Sequence, residues 1–398
     1  MSYRCKVCNE YNCKKHALSI GKSVSLSSFS GSSPPEIFVG RYNYPNINIG
    51  ILSPTEHGQT EILSSHELWH KNHLPILQIL KLRNQLIYGR TKGNIKSPQI
   101  FQNSSSNPKD KKFLKTMQEI SMTEKPISTS FILKKPIFPN KENDSQVPLI
   151  SNAASVQSAK LNENTQIKKK VDYLVSDNET KSKTAILELD SAGIQSSNIM
   201  KILSAGLLGL KKNRILVPTR WSITAVDDTL SKEKLKQIKT YQQISDFQVF
   251  HASYVGNNYH FLLLPSEFQF EVIEIAMRNF GVWHDHESFF PRRKYAESVT
   301  GAYYANRLAL CEYLEKIKRQ ASCLVFREIR PEYYAPLGVG ILRQTSREAF
   351  SKKPETFHSL NESLNHIQIN MRLPISHYTD KSIILKNFKT QQKLSQYF

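Results

Sequence analysis

The sequence predicts a mixed α/β fold, of the α+β kind, in two interlocked regions. Short β-branched or aromatic runs bounded by turn formers recur at residues 37–52, 247–264 and 323–326. Between them, apolar residues recur at helical spacing over 76–87, 194–203 and 300–320. The interlocking is predicted from two distant groupings of like chemistry. Arg41 stands with Tyr42 and Tyr44, Arg220 stands beside Trp221, and the two cation–aromatic sets are expected to meet.

Taken in order, Ile37–Val39 and the alternating 47–52 flank Asn43-Tyr44-Pro45-Asn46, a strand–turn–strand pattern in which Gly40 and Gly50 mark bends. Pro75 opens a helix whose apolar positions include Ile76, Leu77, Leu80 and Ile87, and Gly89 is expected to close it. Residues 90–112 and 141–170 carry turn formers and lysines without periodicity and read as mobile inserts, the second ending in Lys168-Lys169-Lys170. These inserts belong to an N-terminal region spanning 19–170, and a C-terminal α/β region spans 171–352.

The centre of the chain is the stretch 215–228, ILVPTRWSITAVDD. Its β-branched runs on either side of Pro218 predict two extended segments with a kink, followed by a basic amphipathic helix through Leu230, Leu235 and Ile238 with Asp228 as its N-cap. Residues 247–254 and 259–264 form a hairpin through Val255-Gly256-Asn257-Asn258. A long helix over 300–320 feeds the strand Cys323-Leu324-Val325-Phe326. From 353 to 398 the periodicity is lost and the chain reads as a flexible tail.

Composition narrows the function. In 398 residues, 54 Lys+Arg against 34 Asp+Glu give a formal charge of +20. Such an excess favours polyanion contact, and the partner it suits best is DNA or another nucleic acid. No apolar run approaches the ~20 residues that span a bilayer, and the N-terminus lacks a signal-peptide core, so a soluble intracellular protein with no membrane partner is expected. There is no G-x-x-x-x-G-K-[ST] loop and no G-x-G-x-x-G turn, so neither an ATPase nor a dinucleotide enzyme is supported.

Three of the five cysteines cluster in Cys5-x2-Cys8-x4-Cys13-x2-His16. Two short-spaced pairs wrap opposite sides of a tetrahedral ion, and three thiolates with one imidazole fill its coordination, so residues 1–18 read as a knuckle around one structural Zn2+. A second candidate site gathers Arg41, Arg220, Trp221, Asp227 and Asp228. A guanidinium beside an indole with carboxylates nearby suits a pocket for a planar or phosphorylated ligand, while buried aromatics more often just pack, which reads as a buried Arg–Asp pair around a core tryptophan. Trp283-His284-Asp285-His286-Glu287 reads as a polar turn, since alternate residues share a side only in a strand. Glu271 and Glu274 read as a helical i,i+3 pair, and 345–350 as the start of a helix that either binds an anion or is a capped surface helix.

The order of motifs resembles the archaeal Nre-type DNA repair proteins. The N-terminal zinc cluster, VGRYNYPNINIG (39–50), LVPTRWSITAVDD (216–228), TGAYYANRLALCEYLEKIKRQA (300–321) and REIRPEYYAPLGVGILRQTSREAF (327–350) carry the resemblance. It implies conserved N- and C-terminal regions, a role in DNA repair, a nucleoid-associated location in the cytoplasm, and a terminal peptide that docks on the sliding clamp PCNA. Residues 391–398, QQKLSQYF, fit that peptide's pattern of Q-x-x-hydrophobic-x-x-aromatic-aromatic through Gln391, Leu394, Tyr397 and Phe398. One helical turn places Leu394, Tyr397 and Phe398 on one face as an apolar plug, with Lys386 and Lys389 upstream to meet an acidic clamp surface. The resemblance assigns no catalytic residues. The leading expectation is a clamp-recruited DNA repair factor; the alternative is a nuclease or nucleotide-processing enzyme built on the Arg41, Arg220, Trp221, Asp227 and Asp228 pocket.

Overall fold

The strand–turn–strand pattern at 37–52 seeds the first of two sheets in the computed structural model, which describes residues 26–100, 108–137 and 152–390. The chain is mixed α/β, as its sequence predicts, and each of the two sheets has six strands. It divides into two units, the first reaching residue 229 and taking in 334–337, the second holding 230–333 and the residues from 338 onward. The division falls at 229/230, where the sequence had suggested a change of region near 171.

In the first unit, β1 (Leu26–Ser33), β2 (Ile37–Val39), β3 (Asn46–Ser53), β4 (Ile87–Asn94), β5 (Ile127–Ile137) and β6 (Ala153–Leu161) lie in the order β1-β5-β6-β4-β3-β2. Neighbours are antiparallel except β4 and β6, which run parallel. Around them come α1 (His66–Lys71), α2 (Ile76–Asn84), α3 (Ser97–Ile100), α4 (Pro108–Met122), α5 (Lys169–Ser176), α6 (Ser182–Ser191) and α7 (Ser196–Ser204).

Several expectations fail here. The helix after Pro75 stops at Asn84, and Gly89 lies inside β4, where a Cβ would stand 3.0 Å from Val156 and 3.3 Å from Phe131. Close strand packing, not helix termination, accounts for that glycine. Much of the two expected inserts is regular structure: β4 runs to Asn94, α4 begins at Pro108, and β6 pairs with both β4 and β5. The buried side of β6 is Ala154, Val156 and Ala159, too small and too interspersed with serine to give a legible apolar alternation.

The central stretch is also not two strands. Pro218 precedes α8 (Thr219–Ile238), and its carbonyl accepts from the amides of Trp221 (2.8 Å) and Ser222 (3.0 Å). The buried positions Ser222, Val226 and Leu230 recur every fourth residue, followed by Ser231, Leu235 and Ile238. Two serines hide this stripe from a reading of apolar periodicity, while Ile223, Thr224 and Val226 imitate a strand. Asp228 therefore lies inside a helix and is not its N-cap.

The second unit is a three-layer sandwich. β7 (Phe247–Tyr254), β8 (Asn257–Leu264), β9 (Phe270–Ala276), β10 (Val282–Glu287), β11 (Ser322–Ile329) and β12 (Glu355–Phe357) lie in the order β10-β9-β11-β8-β7-β12. The β7–β8 hairpin forms as its sequence predicts and turns on Val255 and Gly256, both at positive φ. β9 and β11 are parallel and need a crossover, which β10 and α9 (Gly301–Ile317) provide. One face of the sheet, with Phe250, Phe261, Val272 and Val325, packs under α9 and α10 (Val339–Ser351). The opposite face, with Val249, Leu262, Ile273 and Phe326, packs under Ile367, Met371, Leu373, Tyr378, Ile384 and Leu385.

Those last residues come from the expected tail, which instead forms β12, α11 (Leu360–Ile369), α12 (Ser376–Thr379) and α13 (Ile383–Thr390). Each piece is too short to sustain a period in the sequence, and only the sheet beneath gives them a common apolar surface. Likewise, 345–350 lies within α10, whose N-terminus is set by Gly338 at φ 89°.

One core residue gives this unit a pH signature. His260 on β8 is fully buried, stacked 4.4 Å from the His251 ring, and neither of its ring nitrogens has a hydrogen-bond partner. Burial, reinforced by the neighbouring His251, pushes its imidazole down to about 2. An unfolded histidine titrates near 6.5, so below about pH 6.5 the unfolded chain takes up a proton that the folded chain refuses. Stability is full above that pH and is expected to fall by about 1.4 kcal/mol per pH unit on the way down. His260→Phe should remove this increment. Urea unfolding of both proteins at about pH 7 and about pH 5 checks it, and equal acid sensitivity would contradict it.

Candidate functional site

Within the first unit, the turn between β2 and β3 is tied to the start of α8 by hydrogen bonds from the main chain and from two hydroxyl side chains. The Val39 amide donates to Thr219 Oγ1 (2.9 Å), the Ile95 amide to the Pro45 carbonyl (3.0 Å), and the Leu216 amide to the Ile95 carbonyl (2.8 Å). Ser204 Oγ closes the set by donating to the Val217 carbonyl (2.7 Å). The backbones of β4, the 40–46 turn and the approach to α8 thus hold one another, which fixes the side chains they carry.

Those side chains are aromatic and cationic. The Tyr44 and Trp221 ring centroids are 5.4 Å apart at 52°, and the Arg41 guanidinium sits 5.6 Å from the centroid of Tyr42. Tyr42, Tyr44 and Trp221 remain 58%, 48% and 45% exposed, and Arg41 and Arg220 are exposed as well. The meeting of the two groupings is as the sequence suggests. The tryptophan is therefore not a core residue. Asp227 and Asp228 stand seven residues further along α8, about 10 Å at the helical rise. Asp227 is fully buried and Asp228 half-buried. The five candidate pocket residues are thus split: a solvent-facing arginine–aromatic cluster at the head of α8, and two acids two turns below it. Exposed Lys92 and Lys96 add positive charge, Lys92 opposite Asn48 and Lys96 just past the Ile95–Pro45 bond.

In the second unit, residues 282–287 are not a turn but the edge strand β10, paired with β9. Alternate residues serve opposite helical layers. On the α9 side, Asp285 accepts from the Ser298 (3.1 Å) and Val299 (2.7 Å) amides and pairs with Arg292, while Glu287 pairs with Arg307 at 2.9 Å. On the other side, His284 Nε2 lies 2.7 Å from Glu271, which also accepts from Ser382 Oγ (2.5 Å) and the Ile383 (2.7 Å) and Ile384 (3.1 Å) amides at the head of α13. Burial alone would raise the Glu271 carboxyl, but these four bonds outweigh it and hold it below the ordinary carboxylate range. Glu274 is three residues along the same strand β9, hence on the opposite face, where it pairs with Arg327 at 2.7 Å. The expected shared face of Glu271 and Glu274 requires a helix and does not exist. These acids are each engaged by a partner: Glu287 ties α9 and Glu271 ties α13 to the sheet, Asp285 holds the approach to α9, and Glu274 joins β9 to β11.

Cys5, Cys8, Cys13 and His16, and likewise Gln391, Leu394, Tyr397 and Phe398, lie outside the described residues. Among the described residues no group of three or more His, Cys, Asp or Glu is placed to hold a metal ion, and Cys311 and Cys323 are buried free thiols. No helix among them is long and apolar enough to cross a membrane.

The family model for archaeal Nre, N-terminal, matches residues 2–284, and that for archaeal Nre, C-terminal, matches residues 287–397. The chain belongs to the archaeal Nre family. It is 33% identical over 364 residues to the DNA repair protein NreB of Archaeoglobus fulgidus, covering 89% of this chain and 88% of the relative. To the DNA repair protein NreA of the same organism it is 34% identical over 340 residues, covering 83% and 82%. To the DNA repair protein NreA of Haloferax volcanii it is 29% identical over 383 residues, covering 93% and 89%. No solved structure matches the chain.

Two of the stretches that carry the Nre resemblance, 39–50 and 216–228, are the two that meet at Tyr44 and Trp221. The lysines beside them escape a sequence reading because β4 and the residues after it pass for an insert. The alternation in 282–287 was the one signal available for the β10 network. It is recognisable as a strand only once β9 lies beside it.

Proposed function

We propose that this Nre chain is a DNA repair protein that contacts DNA and is brought to it by the sliding clamp PCNA. The observation that supports the reading most is the similarity, over more than four fifths of their length, to relatives named as DNA repair proteins. The charge of +20 and the exposed arginine–aromatic cluster suit contact with a polyanion. Gln391, Leu394, Tyr397 and Phe398 are the clamp-binding side chains in this reading. One Zn2+ is held by Cys5, Cys8, Cys13 and His16, whose donors complete a closed tetrahedral set that stabilises its own loop. The site of action is inside the cell, at the DNA.

The test is complementation after DNA damage. In cells deleted for the gene, the full chain is expected to restore survival after an alkylating or crosslinking agent, whereas a chain ending at Thr390 is not. Equal survival with the shortened chain would remove the clamp from the proposal, and undiminished survival of the deletion strain would remove the repair role.

A further inference from the structure

We propose that the 40–46 turn and the first turn of α8 form a stacking platform for the unpaired bases of single-stranded DNA. This rests on the DNA-contact reading above and specifies the form of DNA.

Tyrosine and tryptophan side chains gain most by burial, yet Tyr42, Tyr44 and Trp221 keep about half of their surface in solvent. They are not loosely held. Hydrogen bonds from β2, from Ile95 just past β4 and from the 204–219 segment converge on the backbone that carries them, so a ligand stacking there meets rings already in place. The tilted Tyr44–Trp221 pair keeps about half of its surface in solvent, Arg41 lies over the Tyr42 ring, and exposed Arg220 directly precedes Trp221. Exposed Lys92 and Lys96 lie on and just after the strand that pairs with β3, and the nearest acids along α8, Asp227 and Asp228, are two turns away.

A nucleotide presents a flat π face and a phosphate, and this surface presents exposed rings together with guanidinium groups. A duplex keeps its base faces inside its own stack and offers only edges and phosphates, so it gains from the cations but not from the rings. An unpaired strand gains from both. Exposed aromatic faces framed by cations therefore select single-stranded over double-stranded DNA.

Fluorescence anisotropy with the full-length protein tests this, using labelled oligo(dT) and a duplex of equal length. Oligo(dT) is expected to bind more tightly. Tyr44→Ala with Trp221→Ala should weaken oligo(dT) binding by roughly tenfold or more, leaving duplex binding, the salt slope and the melting temperature unchanged, because no charge is removed. Tyr44→Phe with Trp221→Phe should retain affinity. Oligo(dT) should also quench tryptophan fluorescence, and Trp221→Phe should abolish most of the quench, since Trp69 is buried and Trp283 is packed against the core of the second unit. Equal binding of oligo(dT) and duplex, or full affinity in the double alanine variant, overturns the platform and leaves DNA contact standing. Binding to neither form, with clamp binding intact, removes DNA contact itself and the platform with it.

Discussion

Arg307→Ala is expected to lower the unfolding free energy by about 3–5 kcal/mol, a large part of the stability of an ordinary domain. The Arg307 side chain is fully buried on α9, and Glu287, its partner on β10, is 1% exposed. Both carboxylate oxygens accept from Arg307 Nη1, at 2.9 and 3.1 Å, and Nε donates to Ser231 (3.1 Å). The guanidinium also lies 5.7 and 5.4 Å from the ring centroids of Tyr303 and Tyr304. Removing it leaves a buried carboxylate without its counter-charge, and that penalty exceeds the lost attraction. Arg307→Lys should rescue little, because an ammonium supplies neither the fork to Glu287 and Ser231 nor the flat face to the rings. Arg307→Met with Glu287→Leu should recover much of the loss, since both charges go together. Urea unfolding checks all three. A loss below about 1 kcal/mol for Arg307→Ala would show that solvent reaches the pair and that the anchoring role is wrong.

Removing residues 391–398 is expected to reduce sliding-clamp affinity by at least about a hundredfold without altering thermal stability, as hydrophobic anchors carry most of such a binding energy. The fold should not notice. α13 ends at Thr390, and its Ile384 and Leu385 are seated in the core beneath the C-terminal helices. The shortened chain therefore keeps every described contact of that layer. Within the peptide, Leu394, Tyr397 and Phe398 share a face only if residues 394–398 make a helical turn on the clamp. Tyr397→Ala with Phe398→Ala should consequently cost nearly as much as the truncation, whereas Lys393→Ala, off that face, should cost little. Calorimetry against purified clamp measures each. Unchanged affinity in the truncated chain, or a large effect confined to Lys393→Ala, would contradict the helical plug.

The sequence by itself determined the fold class, the β7–β8 hairpin, the 300–320 helix with its following strand, and the family. These are local features: a two-residue turn, a sustained period, or a run of motif residues, each complete within one segment. It also suggested that the grouping of Arg41, Tyr42 and Tyr44 meets that of Arg220 and Trp221, while the fold alone decided that Trp221 faces solvent. Tertiary structure alone decided the rest. β4 became a strand through pairing with β3 and β6 through pairing with β5, and the two also pair with each other across a long gap in the chain. α8 buries Ser222 and Ser231 where a periodicity reading demands apolar residues. β10 carries five polar or aromatic residues in a row and is a strand only because β9 pairs with it and Glu271, Arg292 and Arg307 supply partners for its alternating charges. The C-terminal helices are too short to stand alone and owe their formation to the apolar face beneath them. Where a segment's stabilising contacts lie within itself, the sequence is enough; where they lie in a distant partner, only the assembled fold can show which of several local readings is realised.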